Sequence, residues 1–142
     1  MNTHLEGKDG GALPVQLAQA MELLGGPGDT TLPVILAGDF NSNAESSDPS
    51  QNATYQLLLG AGFTDAWEEA HPNEDVFTWP LYGVSLHPFL TPNERLDLIL
   101  SRGEIDTVGA EIVGEDQATD LTPSGLLPSD HAGLVVALKL EP

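Results

Sequence analysis

The chain has 142 residues, 40% of them hydrophobic and 18% charged, which is enough for the core of one globular domain and leaves no room for a second full one. Its 22 acidic residues against 4 basic ones give a formal charge of −18, and only Lys8, Arg95, Arg102 and Lys139 could neutralise phosphates, so polyanions, duplex nucleic acid among them, are poor partners. The absence of cysteine excludes disulfides, thiolate metal sites and a Cys nucleophile, and no run approaches the about 20 apolar residues of a transmembrane segment or the apolar stretch of a signal peptide.

Asn2-Thr3-His4-Leu5 reads as the end of a strand whose body is missing, so upstream sequence is expected; a loop over residues 7–11 follows. Val15, Ala18, Met21 and Leu24 recur every three residues with Leu17 beside them, which predicts an amphipathic helix over 12–24, ended by Gly25-Gly26-Pro27-Gly28. The apolar run 33–38 predicts a strand buried on both faces, with Asp39-Phe40-Asn41 at its C-terminal end. Residues 42–52 are polar and predict a loop, then a short helix over 54–59 closed by Gly60 and Gly62.

Pro72, Pro80, Pro88 and Pro92 mark a long irregular connection, with one strand expected at 76–79. Leu96, Leu98 and Leu100 alternate with Arg95, Asp97 and Ile99 in a strand over 95–100, and a second strand is expected over 107–113. The last strand covers 134–140, directly after the tight loop Ser129-Asp130-His131-Ala132-Gly133.

Asn2-Thr3-His4, Asp39-Phe40-Asn41, Asp97 and Asp130-His131 each adjoin an apolar strand. Ligands of open α/β sheets bind where strands end, so these clusters could converge. Asp39, Asp97 and Asp130 offer hard carboxylate oxygens for Mg²⁺ or Mn²⁺, and Asn41 offers an amide donor for an anionic oxygen, a set suited to metal-assisted phosphoryl chemistry. His131 could act as general base if a carboxylate holds its other ring nitrogen, and Asp97 is the candidate partner.

Plainer readings stand beside these. Asp39 and Asn41 could be turn formers, Asp97 an edge-strand charge, Asp130-His131 a surface turn and His4 a frayed terminal residue. Asp39 to Asn43 also matches the opening of a calcium loop, but Ala44 stands at the required Gly position and Ser50 at the required Glu. His71 and His87 receive no role. Trp67, Phe77, Trp79, Tyr82 and Phe89 read as packing beneath a long loop rather than as substrate contacts, and the acidic excess reads most simply as a solubilising surface.

Taken in order, Asn2-Thr3-His4-Leu5, Gly38-Asp39-Phe40-Asn41, Arg95-Leu96-Asp97-Leu98-Ile99-Leu100 and Ser129-Asp130-His131-Ala132-Gly133-Leu134 resemble the endonuclease/exonuclease/phosphatase superfamily, which includes pancreatic-type deoxyribonucleases, apurinic endonucleases, neutral sphingomyelinases and inositol-phosphate phosphatases. The resemblance runs from Asn2 to Leu140. It implies an α/β fold, a two-sheet sandwich with flanking helices and mixed or largely antiparallel strands. It also implies that Asp39 and Asn41 orient the attacking water and contact the phosphate beside a metal. Asp130 would lie near that metal, with Asp39 and Asn41 as further ligands. His131, oriented by Asp97, would be a general base or phosphate ligand, and His4 would stabilise charge on the phosphate.

The matched motifs belong to the C-terminal half of such a domain, so 1–142 is expected to be a single domain lacking its N-terminal half. That half carries an Asn and the Glu that is the principal metal ligand, so weak metal affinity would follow. An apolar sheet face would also stand uncovered, and homodimerisation could cover it. The resulting expectation is a phosphoester hydrolase (phosphodiesterase, phosphatase or nuclease) dependent on Mg²⁺ or Mn²⁺. The alternative is an incomplete or non-catalytic half-domain that needs a partner chain or its missing segment. Charge favours a small phosphoester or phospholipid headgroup over duplex DNA, a preference that a basic N-terminal half could reverse.

Overall fold

A computed structural model describes residues 1–81 and 91–140, so Tyr82, His87, Pro88 and Phe89 lie outside the described residues. Strands β1 (Asn2–His4), β2 (Val34–Asp39), β3 (Thr64–Asp65) and β4 (Asp97–Arg102) form one sheet in the order β1-β2-β4-β3. β1 and β2 are parallel, whereas β4 runs antiparallel to both β2 and β3. Strands β5 (Ile105–Val113) and β6 (Gly133–Leu140) form a separate antiparallel ribbon with a bulge between Thr107 and Gly109. Helices α1 (Leu13–Gly25), α2 (Pro49–Gly60) and α3 (Ala66–Ala70) complete the mixed α/β architecture expected from the sequence. No helix among the described residues is long and apolar enough to cross a membrane.

The core lies on one face of the larger sheet. There Val34, Leu36, Leu98 and Leu100 meet Ala20 of α1 and Tyr55 and Leu58 of α2, with Leu5, Phe40 and Phe63. The expectation that β2 is buried on both faces is corrected, because Ile35 on the opposite face is exposed. The predicted face of α1 is also corrected. Val15 and Met21 are exposed, and the buried positions are Gln16 and Ala20. Gln16 can be buried because its polar atoms are satisfied: Nε2 donates to the carbonyls of Glu6 and Asn41, each at 2.8 Å, and Oε1 accepts from Thr54 Oγ1 at 2.7 Å.

α2 begins five residues earlier than the predicted helix, since Asp48 caps it by accepting from the Ser50 N–H at 2.8 Å and Pro49 suits a first helical turn. α3 was not expected; Asp65 caps it through the Trp67 N–H at 2.9 Å. The strand expected at 76–79 is reduced to a single bridge between Trp79 and Glu94, because the Thr78 and Trp79 N–H groups both converge on the Glu94 carbonyl. Gly38 has a φ of 142°, and a Cβ there would lie 1.9 Å from the Thr3 carbonyl oxygen. Only glycine lets β1 pair this closely with β2, and that pairing places His4 opposite Asp39.

Candidate active site

Strand register builds the site. His4 stands opposite Asp39 across the β1–β2 pair, and Asp39 stands opposite Asp97 across the β2–β4 pair, so three polar side chains form a row at one end of the sheet. The loop before β6 adds His131, whose Nδ1 lies 2.8 Å from Asp97 Oδ2. His4 Nε2 lies 3.2 Å from Asp39 Oδ2; the histidine is 74% exposed and the carboxylate 15%.

Asn41 sits in the turn after β2 with a φ of 49°, a left-handed conformation that asparagine tolerates. Its N–H donates to Asp39 Oδ1 at 2.8 Å, its Nδ2 to the Leu5 carbonyl at 2.8 Å, and its own carbonyl accepts from Gln16. The turn is therefore held from α1, from the chain after β1 and from Asp39 itself. Asp130, by contrast, is exposed, and its carbonyl accepts from the Leu81 N–H at 2.7 Å. The sequence-derived residues His4, Asp39, Asn41, Asp97 and His131 thus gather together, with the Asp130 carboxylate outside the cluster.

Burial pushes the Asp39 carboxyl above its ordinary range, the Asn41 N–H bond opposes that shift, and nearby Asp97 adds to it; His131 and His4 pull it back down. A cation would relieve this crowding of partly desolvated carboxylates. Asp39, Asp97 and His131 each offer one candidate ligand atom, all within 4.8 Å of one another, and the two hard carboxylates suit a divalent ion. A cavity of about 200 Å³ opens beside it, lined by Gly7, Lys8, Asn41, Trp79, Glu94, Leu96 and His131. A larger hollow of about 430 Å³ lies against Ala70, His71 and β5, far poorer in chemistry; His71 Nε2 there donates to the Ala110 carbonyl at 2.9 Å.

Two supports had no local signature in the sequence. Thr78 is fully buried, and its Oγ1 accepts from the N–H groups of Leu96 at 3.0 Å and Asp97 at 3.2 Å, while its carbonyl accepts from Ala132 at 2.8 Å. One residue therefore fixes both the start of β4 and the loop that carries His131. Arg95 is also fully buried. Its guanidinium pairs with Glu45, with Asp65 at 2.7 Å and with Glu68 at 3.2 Å, and it lies 6.0 Å from the centre of the Tyr55 ring. These carboxylates keep its charged form favoured despite burial, and burial in turn raises the Glu45 carboxyl. Arg95, which the sequence alternates with Leu96, thus closes an internal ion-pair cluster.

The fold is that of an α/β protein with carboxylates and histidines gathered at one end of a mixed sheet. The profile of the endonuclease/exonuclease/phosphatase family matches residues 7–131, and the chain belongs to that family. A comparison with curated proteins gave no match. Among solved structures, a functionally unknown conserved protein from Enterococcus faecalis superposes with a TM-score of 0.68 at 20% identity, covering 99% of this chain and 49% of that one. A mannosyl-6-phosphatase from Bacteroides thetaiotaomicron gives 0.66 at 21% identity, covering 98% and 50%. TDP2 from D. rerio, complexed with a single-strand DNA product, gives 0.67 at 21% identity, covering 98% and 55%. The chain spans about half the length of these structures.

Proposed function

We propose that this site hydrolyses phosphoesters with the help of Mg²⁺ or Mn²⁺, and the observation that carries the reading is the 2.8 Å pairing of His131 with Asp97 beside Asp39. Asp97 holds the proton on His131 Nδ1, which leaves Nε2 free to take a proton from water. Asp39 and Asn41 orient that water and the phosphate, and His4 donates to a phosphate oxygen. The water oxygen bonds to phosphorus as the phosphorus–oxygen bond to the alcohol breaks, His131 keeps the water's proton, and the alcohol draws one from solvent. Asp39 and Asp97 would hold the cation, with Asn41 as a further ligand implied by the motifs; when bound, it would supply charge to polarise the phosphate.

The charge of −18 favours small phosphoesters or phospholipid headgroups over duplex DNA. The matched structures support the wider class, since one is a mannosyl-6-phosphatase and another is complexed with a DNA product. A substrate panel tests this: p-nitrophenyl phosphate, bis-(p-nitrophenyl) phosphate, single-stranded DNA and duplex DNA, each with Mg²⁺ at several salt concentrations. Turnover of the small esters with little salt dependence is expected. Preferential cleavage of DNA that falls steeply with salt would reverse the substrate preference.

A second reading, a half-domain completed by another segment or by a second copy, is favoured by the β5–β6 ribbon, where Val108 is 68% and Val135 54% exposed. Sedimentation equilibrium decides the homodimer version: a dimer supports it, and a monomer with full turnover removes the need for it.

A further inference from the structure

The cavity beside His131 contains a charge arrangement that the hydrolytic reading does not use. Lys8 and Glu94 both line it and form an ion pair with each other, half-buried, across 86 residues of sequence. Of the chain's four basic residues, Lys8 is the one at this cavity. Arg95 is spent on its internal carboxylates, Arg102 donates to the Gly28 and Ala61 carbonyls and lies over the Phe63 ring, and Lys139 stands on β6 opposite Asp106. A chain of charge −18 that admits a phosphate needs a local cation, and here that cation is already held by a carboxylate.

We propose that Lys8 is a phosphate-binding residue of this cavity and that Glu94 restrains it until a phosphate takes the ammonium over. The two partners are not equally free to move. Glu94 is anchored by its backbone, with its N–H donating to the Trp79 carbonyl at 3.0 Å and its own carbonyl accepting from Thr78 and Trp79. Lys8 projects from the connection after β1 on a long flexible stem, so the ammonium can turn toward a phosphate while the Glu94 backbone stays in place. A terminal phosphate offers more charge and more acceptor oxygens than one carboxylate, so the exchange replaces one charge-assisted bond with a stronger set. Phosphates small enough for a 200 Å³ cavity would engage Lys8 and the His131–Asn41 side together.

The proposal rests on the phosphoester reading, and inorganic phosphate titrated by calorimetry in the presence of Mg²⁺ separates the two. Lys8→Met should weaken phosphate binding about tenfold, and Glu94→Gln, which frees the ammonium, should tighten it severalfold. In the double variant the gain from Glu94→Gln should vanish, because it acts through Lys8. With p-nitrophenyl phosphate, Lys8→Met should raise KM more than it lowers kcat. A gain that persists without Lys8 would reduce Glu94 to a general repulsion and overturn the proposal. Equal losses of affinity in both single variants would make the pair a structural pin and overturn it as well. Should neither the wild type nor Glu94→Gln bind phosphate, the proposal also fails, whereas the hydrolytic reading stands or falls separately on metal-dependent turnover.

Discussion

Replacing Thr78 by valine keeps the shape of the side chain and removes the single acceptor shared by the Leu96 and Asp97 N–H groups. Each buried donor left without a partner costs about 1–3 kcal/mol. Leu96 is buried and pays in full, while the Asp97 N–H makes the longer, part-buried bond and pays less, so the sum is roughly 2–4 kcal/mol. That is a large share of a typical domain stability of about 5–15 kcal/mol and corresponds to a fall in Tm of roughly 6–12 °C at this chain length. Thr78→Ser retains the hydroxyl, gives up one methyl, and should cost about 1 kcal/mol. Urea denaturation measures both variants, and p-nitrophenyl phosphate turnover follows the position of Asp97. A valine variant as stable and as active as the serine variant would refute the claim that this hydroxyl holds the start of β4 in place.

Two further outcomes follow from the buried charges. Arg95→Met strands Glu45 and Asp65 without their cation and should cost about 3–5 kcal/mol by urea titration at pH 7, with part of the loss returning as the pH falls and Glu45 takes up a proton; an undiminished penalty at pH 4 would count against it. Because the folded protein raises the Asp39 carboxyl, the stability tied to that group is fully present below its unfolded pKa and lost as pH rises through the folded value. Metal-free Asp39→Asn should therefore melt above the wild type at pH 7, lose that advantage below about pH 4, and fall behind when Mg²⁺ is added; differential scanning fluorimetry in EDTA and in Mg²⁺ reads all three.

Much of the architecture was legible because β2, β4, β5 and β6 are apolar runs bounded by turn residues, and those boundaries moved by only a residue or two. The gathering of His4, Asp39 and Asp97 follows from register once those strands are paired, so motif order carried most of the site. Other features escaped because their partners are distant in sequence. Hydrophobic periodicity misassigned the inner face of α1, since Gln16 is buried by hydrogen bonds to Glu6, Asn41 and Thr54 rather than by its own polarity. The burial of Arg95 was likewise not legible, because its carboxylates come from two distant segments, Glu45 and the helix start that carries Asp65 and Glu68. Thr78 looked like strand, yet its function in the fold is to tie two loops to β4. The start of α2 did carry a readable signal, Asp48 followed by Pro49, which the polar run around it obscured.

The most direct measurement is hydrolysis of bis-(p-nitrophenyl) phosphate and its monoester by the purified chain with Mg²⁺, with Mn²⁺ and with EDTA, beside Asp39→Ala and His131→Ala. The account predicts turnover that requires the metal and falls at least about a hundredfold in each variant, as expected when a metal-holding carboxylate or a general base is lost. A folded chain with a cooperative melt and no turnover under any of these conditions would contradict it and favour a half-domain that needs a further segment.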